Sequence, residues 1–172
     1  MSTSIPAPAS FALENVDWND PRAVALRAEM EAEMDERYGS SHGDEPVEVT
    51  EARMRALAVD PAGVVRTILA VDAGGTPIGH VGVRWLNGVL EVKRLIVTGG
   101  QRGQGLGRAL MAAVEDVARA EDETHIILQT GTKQPEAVAL YERIGYRAIP
   151  VYEPYRETMP WSLCYEKFLD AV

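Results

Sequence analysis

The run Gln101–Arg108, QRGQGLGR, puts glycine at 103, 105 and 107 between Arg102 and Arg108. Glycine takes backbone angles that other residues avoid and lets a ligand come close to the main chain. Upstream, Val89–Val97 (VLEVKRLIV) reads as a strand, and downstream residues 105–120 read as a helix. The loop therefore feeds a helix N-terminus, where amides lack acceptors and the helix dipole favours negative charge. Pyrophosphate is the group such a cradle suits. Two other phosphate loops are excluded. No glycine precedes Lys-Ser or Lys-Thr as a Walker loop requires, and Arg108 stands where GxGxxG needs its third glycine.

What remains, Arg102-Gly103-Gln104-Gly105-Leu106-Gly107, fits [Q/R]xxGx[G/A]. Before it, Glu91, Lys93, Arg94, Leu95 and Val97 give an acidic residue followed by Leu-x-Val on the entering strand. After it, Gln134–Tyr146 (QPEAVALYERIGY) gives a short helix carrying a tyrosine, then Gly-aromatic. Together these resemble the GNAT superfamily, the acyl-CoA-dependent N-acyltransferases, with the likeness running from Asp17 to Lys167 and sharpest between Glu91 and Tyr146.

The resemblance implies an N-acetyltransferase that moves the acetyl group of acetyl-CoA to a primary amine of a small molecule or peptide, by direct attack in a ternary complex. Acetyl-CoA is then the cosubstrate, with no metal. Cofactor contacts fall on the backbone of Leu95, Ile96 and Val97, which pairs with the pantetheine as an added strand would. They continue through Arg102, Gly103, Gln104, Gly105, Leu106, Gly107 and Arg108 and reach Gln134, which stands where the family often has asparagine. Glu91 matches the family's acidic residue and is the candidate base, directly or through water. Its alternative is a surface carboxylate paired with Lys93 or Arg94, since strand parity puts Glu91 and Lys93 on one face unless a bulge intervenes. Tyr141 matches the family tyrosine that protonates the departing thiolate, and a phenol with a pKa of about 10 is in donor form at neutral pH. Its alternative is an amphipathic core tyrosine aligned with Ala137 and Ile144. A main-chain amide near Val97 would hold the oxyanion. Two other classes share parts of the pattern: a catalytically silent acyl-CoA-binding or regulatory domain, and a nucleotide-binding protein of another fold.

The elements that position these residues follow from pattern. Phe11–Val16 forms a short strand, and Asn19-Asp20-Pro21 opens a helix that runs to Tyr38 and stops at Gly39. A loop over Ser40–Pro46 leads to a helix over Thr50–Ala58 and a turn at Asp60–Gly63. Strands follow at Val64–Val71, Pro77–Leu86 and Val89–Val97, the last two joined by Asn87-Gly88, a strong hairpin signal. Beyond the loop, Leu106, Ala109, Leu110, Ala113, Val114 and Val117 make one helical stripe. Then come a strand at His125–Gln129, a helix at Pro135–Ile144 capped by Gly145, and strands near Tyr146–Val151 and Ser162–Phe168. The order predicts an α+β fold, a GNAT-like mixed and mostly antiparallel sheet with helices on both faces. The resemblance adds that this sheet is splayed at its centre, between the strand ending at Val97 and the one ending near Gln129.

The 172 residues suffice for a single domain over residues 11–172, after a flexible leader over residues 1–10. The leader lacks the apolar core of a signal peptide, and no segment approaches the roughly 20 apolar residues of a membrane span. A cytoplasmic monomer or homodimer that engages neither membrane nor nucleic acid is expected. Residues 1–60 hold 13 acids against 5 arginines, whereas from Arg84 to Arg108 five bases (Arg84, Lys93, Arg94, Arg102 and Arg108) face Glu91 alone. The basic stretch would meet a polyanionic cofactor, and the acidic region, which includes the family's acceptor side at residues 20–58, would draw a cationic amine. Glu29, Glu31, Glu33, Asp35 and Glu36 cannot all face one pocket, so most are read as a solvated helix face. Tyr152, Tyr155, Arg156 and Trp161 are candidate pocket residues. His42, His80 and His125 are read as structural, and Cys164 as core.

Overall fold

The computed structural model describes residues 10–170; the expected leader, apart from Ser10, lies outside the described residues. Strands β1 (Phe11–Val16), β2 (Val64–Asp72), β3 (Pro77–Leu86), β4 (Val89–Val97), β5 (His125–Thr130), β6 (Arg147–Ile149) and β7 (Leu163–Phe168) form one sheet, ordered β1-β2-β3-β4-β5-β7-β6. Helices α1 (Pro21–His42), α2 (Val47–Leu57), α3 (Leu106–Ala120), α4 (Pro135–Arg143) and α5 (Tyr155–Thr158) connect them. All neighbouring strands are antiparallel except β4 and β5. The mixed, mostly antiparallel α+β sheet is therefore present.

Local chemistry explains most boundaries. Asn87 and Gly88 both take positive φ, 50° and 79°, as a two-residue type I′ hairpin requires. The Asp20 side chain accepts from the Arg22 amide, and Pro21 occupies the first turn of α1. Helix α3 buries Leu106, Leu110, Met111, Val114, Val117 and Ala118 against one face of the sheet. On the other face, Ala23 and Leu26 of α1 pack on Leu69 and Ile96.

Some boundaries differ from expectation. Helix α1 continues through Gly39 to His42, because Gly39 does not take the left-handed conformation by which glycine commonly closes a helix. Tyr38 stacks on His42 one turn later, at 6.1 Å between ring centres. Helix α2 begins at Val47, three residues early, since Pro46 sets an extended entry and Glu48 favours the first turn. The last hairpin is shorter than expected, with β6 confined to Arg147–Ile149 and α5 inserted before β7. A 3₁₀ turn at Gly99–Gln101 leads from β4 into the glycine loop.

The centre of the sheet is where the site is made. The parallel ladder holds three pairs, Leu90–Ile126, Glu91–Ile127 and Val92–Leu128, and then ends. Across β4 on its other side, Ile96 faces His80 and Lys93 faces Gly82, so Arg94 and Leu95 together oppose Val81. This is a β-bulge, and Arg94 within it has φ of 56°. The fully buried His80 ring secures it: Nδ1 lies 2.7 Å from the Arg94 carbonyl, and Nε2 lies 3.1 Å from Arg27 Nη1. A carbonyl only accepts and a guanidinium only donates, so Nδ1 carries the proton and the ring is neutral. Burial holds its pKa down at about 4.

That depression has a sign. Unfolded His80 takes up a proton near pH 6.5 and folded His80 only near 4, so stability is full above 6.5 and falls as pH drops toward 4. Denaturant unfolding from pH 7 to 4 is expected to lose about 3 kcal/mol through this residue. His80→Asn, whose amide can still donate to Arg94, is expected to remove that pH-dependent component.

Candidate active site

Where β4 and β5 part, a cavity of about 460 Å³ opens. Its wall contains Leu95, Ile96 and Val97 of β4, then Arg102, Gly103, Gly105, Leu106, Gly107 and Arg108, and Gln134 from the far lip. Among the expected cofactor residues, Gln104 is the one outside that wall; its amide donates to the Gly100 carbonyl at 3.3 Å. Of the five bases between Arg84 and Arg108, only Arg102 and Arg108 line this cavity, so the local excess of positive charge is divided between two places.

The loop geometry matches its composition. Gly103 and Gly105 have φ of 78° and 82°, and Gly105 is the left-handed N-cap of α3. The first bond within the helix runs from the Ala109 amide to the Gly105 carbonyl, which leaves the amides of Leu106, Gly107 and Arg108 without helical acceptors. Gly107 also permits close packing: a Cβ there would stand 2.9 Å from Leu140 Cδ2 of α4.

Helix α1 closes the cavity from above with Met30, Glu33 and Met34. Glu33 holds Arg102 Nη2 through both oxygens, at 2.9 and 2.8 Å, and its carboxyl sits below the usual range chiefly because of that bond. One turn on, Arg37 donates to the Lys133 carbonyl and pairs with Glu136, while the Tyr38 hydroxyl accepts from the Lys133 amide at 2.9 Å. The helix thus joins the glycine loop to the β5–α4 lip. Nothing in the sequence pattern signalled this span.

Glu91 is not at the surface, and its partner is neither Lys93 nor Arg94. It is fully buried and pairs with Arg84 Nε at 2.9 Å, while Tyr152 and Tyr155 donate to it at 2.7 and 3.0 Å. The hairpin could have revealed Arg84, because 84 and 91 are equidistant from the Asn87-Gly88 turn and face each other across it. Lys93 lies on the same face, as parity required, and donates to the Tyr155 hydroxyl at 2.8 Å. Burial holds its pKa down at about 8. Of the other candidate pocket residues, Arg156 is exposed and paired with Glu153, and Trp161 is exposed.

Tyr141 is buried between Tyr146 and Tyr165, with ring centres 6.0 and 6.1 Å away. It is absent from the cavity wall, which its helix neighbours Ala137 and Leu140 reach instead. Burial pushes its phenol above the ordinary value. The three histidines all have partners: His80 in the bulge, His125 on Glu166 and Phe168, and His42 beside Glu45 and Tyr38. Cys164 is core.

Residues 27–146, a span that runs from α1 through the glycine loop and α4, match the model of the acetyltransferase (GNAT) family. The chain belongs to that family. Among GNAT relatives, an IAA acetyltransferase of Azospirillum brasilense is 35% identical over 101 residues, covering 58% of this chain and 65% of that protein. A blasticidin-S acetyltransferase of Streptomyces morookaense is 43% identical over 86 residues, covering 48% and 58%. The matched stretches span between half and two thirds of the length of these curated relatives. A solved structure from Klebsiella pneumoniae, itself an inferred acyl-CoA N-acyltransferase, superposes with a TM-score of 0.72 at 27% identity, over 93% of this chain and 98% of that one. No helix among the described residues is long and apolar enough to cross a membrane.

If the Gln101–Arg108 loop receives a polyanion, Glu33 competes with it for Arg102. Calorimetry with coenzyme A is expected to show Glu33→Gln binding about two- to fivefold tighter at low salt, with the gain shrinking as salt rises. Gly105→Ala is expected to bind coenzyme A about tenfold more weakly, because alanine resists the left-handed cap by about 1–2 kcal/mol.

Proposed function

We propose that this chain transfers the acetyl group of acetyl-CoA to a primary amine of a small molecule or peptide, by direct attack within a ternary complex. The observation that carries this reading is the cavity at the parting of β4 and β5, bounded on one side by an unpaired strand edge and on the other by helix-terminal amides, with Arg102, Arg108 and Arg143 in its wall. The acetyltransferase names of the relatives support acetyl as the acyl group.

In this reading the pyrophosphate rests on the amides from Gly103 to Arg108, with Arg102 and Arg108 as counter-charges. The pantetheine lies along Leu95–Val97, where β4 no longer pairs with β5, and bonds to that edge as a strand would. Gln134 meets it from the opposite lip. An amide near Val97 faces the carbonyl oxygen and stabilises the charge that builds there.

The chemistry needs one proton removed and one supplied. The amine nitrogen attacks the thioester carbon, the carbon–sulfur bond breaks, and the thiolate takes a proton from Tyr141, the buried neighbour of the wall residues Ala137 and Leu140, whose raised pKa keeps it in donor form. Glu91 is enclosed by three donors, so direct contact with the amine is not its route. Half-buried Tyr152, 2.7 Å from Glu91, passes the amine proton inward: it gives its own proton to the carboxylate and takes the amine's. Glu91 then releases its proton to solvent and Tyr141 takes one back, which returns both groups to their starting state for the next turnover.

A thiol-release assay with acetyl-CoA and a panel of amines tests the reading. Tyr141→Phe is expected to lower kcat about 10²-fold or more while calorimetry finds coenzyme A affinity within about twofold of wild type. Binding without thiol release in either form, over the whole panel, would instead mark a catalytically silent acyl-CoA-binding domain.

A further inference from the structure

The second group of bases, away from the glycine loop, carries more positive charge than its surroundings match. Arg84, Lys93 and Arg94 project from the centre of the sheet toward the ends of α2 and α5, and Arg27 of α1 lies close to Arg94. Glu91 is ion-paired with Arg84 alone among them. Lys93 is 4% exposed, and its hydrogen bond goes to a neutral phenol. Arg94 donates to the Leu57 carbonyl at 3.2 Å, again a neutral group. Neither has an ion-pair partner among the described residues; Glu31, the acid nearest in influence on Arg94, is exposed and makes no ion pair with it. Arg27 is already occupied by the Trp18 carbonyl, the Trp18 ring face and His80.

Cations drawn out of water are costly unless an anion meets them. Arg94 bears a second cost, because φ of 56° is a conformation that glycine or asparagine adopts readily and other residues resist. A strained position that nonetheless carries a long charged side chain points to a use for that side chain. Its location suggests what the use is. Leu95, the next residue, begins the β4 edge that walls the donor cavity. A group held by Arg94 is therefore within a small molecule's length of the place where an acyl thioester would lie.

We propose that the acceptor is an amine bearing an anionic group, a carboxylate in the first instance, which Arg94 binds with Lys93 beside it. The inference rests on the transfer reading above and names its substrate class: amino acids and similar amino carboxylates, with the amine a carbon or two from the anchored carboxylate. It reverses the expectation that the acidic N-terminal region would draw a cationic amine. Glu29, Glu31, Asp35 and Glu36 are exposed on α1, and Glu33 is committed to Arg102 and Arg37.

The test uses the full chain loaded with coenzyme A. Calorimetry compares the common amino acids with their amides, and thiol release with acetyl-CoA compares the same pairs alongside putrescine and spermidine. Wild type is expected to favour the acid over its amide by about tenfold or more, the worth of a charge-assisted pair. In Arg94→Gly, where the backbone strain is relieved and the melting temperature should hold or rise, the preference is expected to vanish with coenzyme A affinity unchanged. Arg94→Lys is expected to keep part of it. Equal affinity for acid and amide, no binding by any acid, or faster turnover of the polyamines overturns the inference. Polyamine turnover would leave the transfer reading in place, whereas acid-selective binding without thiol release would overturn transfer and keep the anion site.

Discussion

The third hydrogen-bonded pair between β4 and β5, Val92 with Leu128, is the last, and the site exists because the ladder stops there. Ordinarily a strand in mid-sheet satisfies its polar groups on both sides. Past Val92, β4 keeps β3 as a partner and loses β5, so Leu95–Val97 can bond to something other than protein. The extra residue at Arg94 redirects the strand, and His80 fixes that redirection from beneath through the Arg94 carbonyl. Nδ1 keeps its proton for that bond, and the ring must stay neutral only so that Nε2 can accept from Arg27, a state that burial and the Arg27 charge both favour. A structural histidine thereby determines the shape of a cavity that it does not line.

Electrostatically the two sides of β4 are unlike. The cavity side meets arginines that are open to solvent or held by an exposed pair with Glu33, an arrangement that a stronger anion can displace at little cost. The α1 and α2 side holds its cations in low dielectric, around one carboxylate saturated by an arginine and two tyrosines. The acids that dominate the N-terminal third are mostly solvated and influence approach more than contact.

The hairpin and the loop were legible because each is fixed by local chemistry: Asn87-Gly88 sets one turn and register, and alternate glycines set the other. Strands β3 and β4 accordingly begin and end where pattern put them. The bulge left no trace, since Leu95 and Val97 keep an apolar rhythm whether or not Arg94 is inserted. The enclosure of Glu91, read as a candidate base with a surface carboxylate as the alternative, was hidden for a different reason. It depends on Tyr152 and Tyr155, 61 and 64 residues away, and periodicity says nothing about contacts at that distance. The Glu33–Arg102 bond, across 69 residues, is of the same kind. Gly39 misled because composition shows what glycine permits and not what a neighbouring Tyr38–His42 stack demands.

The single cysteine has a practical meaning. Cys164 lies on β7, 2% exposed, with its thiol pushed up by burial. A disulfide reagent reads thiolate that it can reach, and the native fold offers it almost none. Colour that develops in such an assay therefore reports free coenzyme A while the protein stays folded, and one added equivalent per chain marks its denaturation.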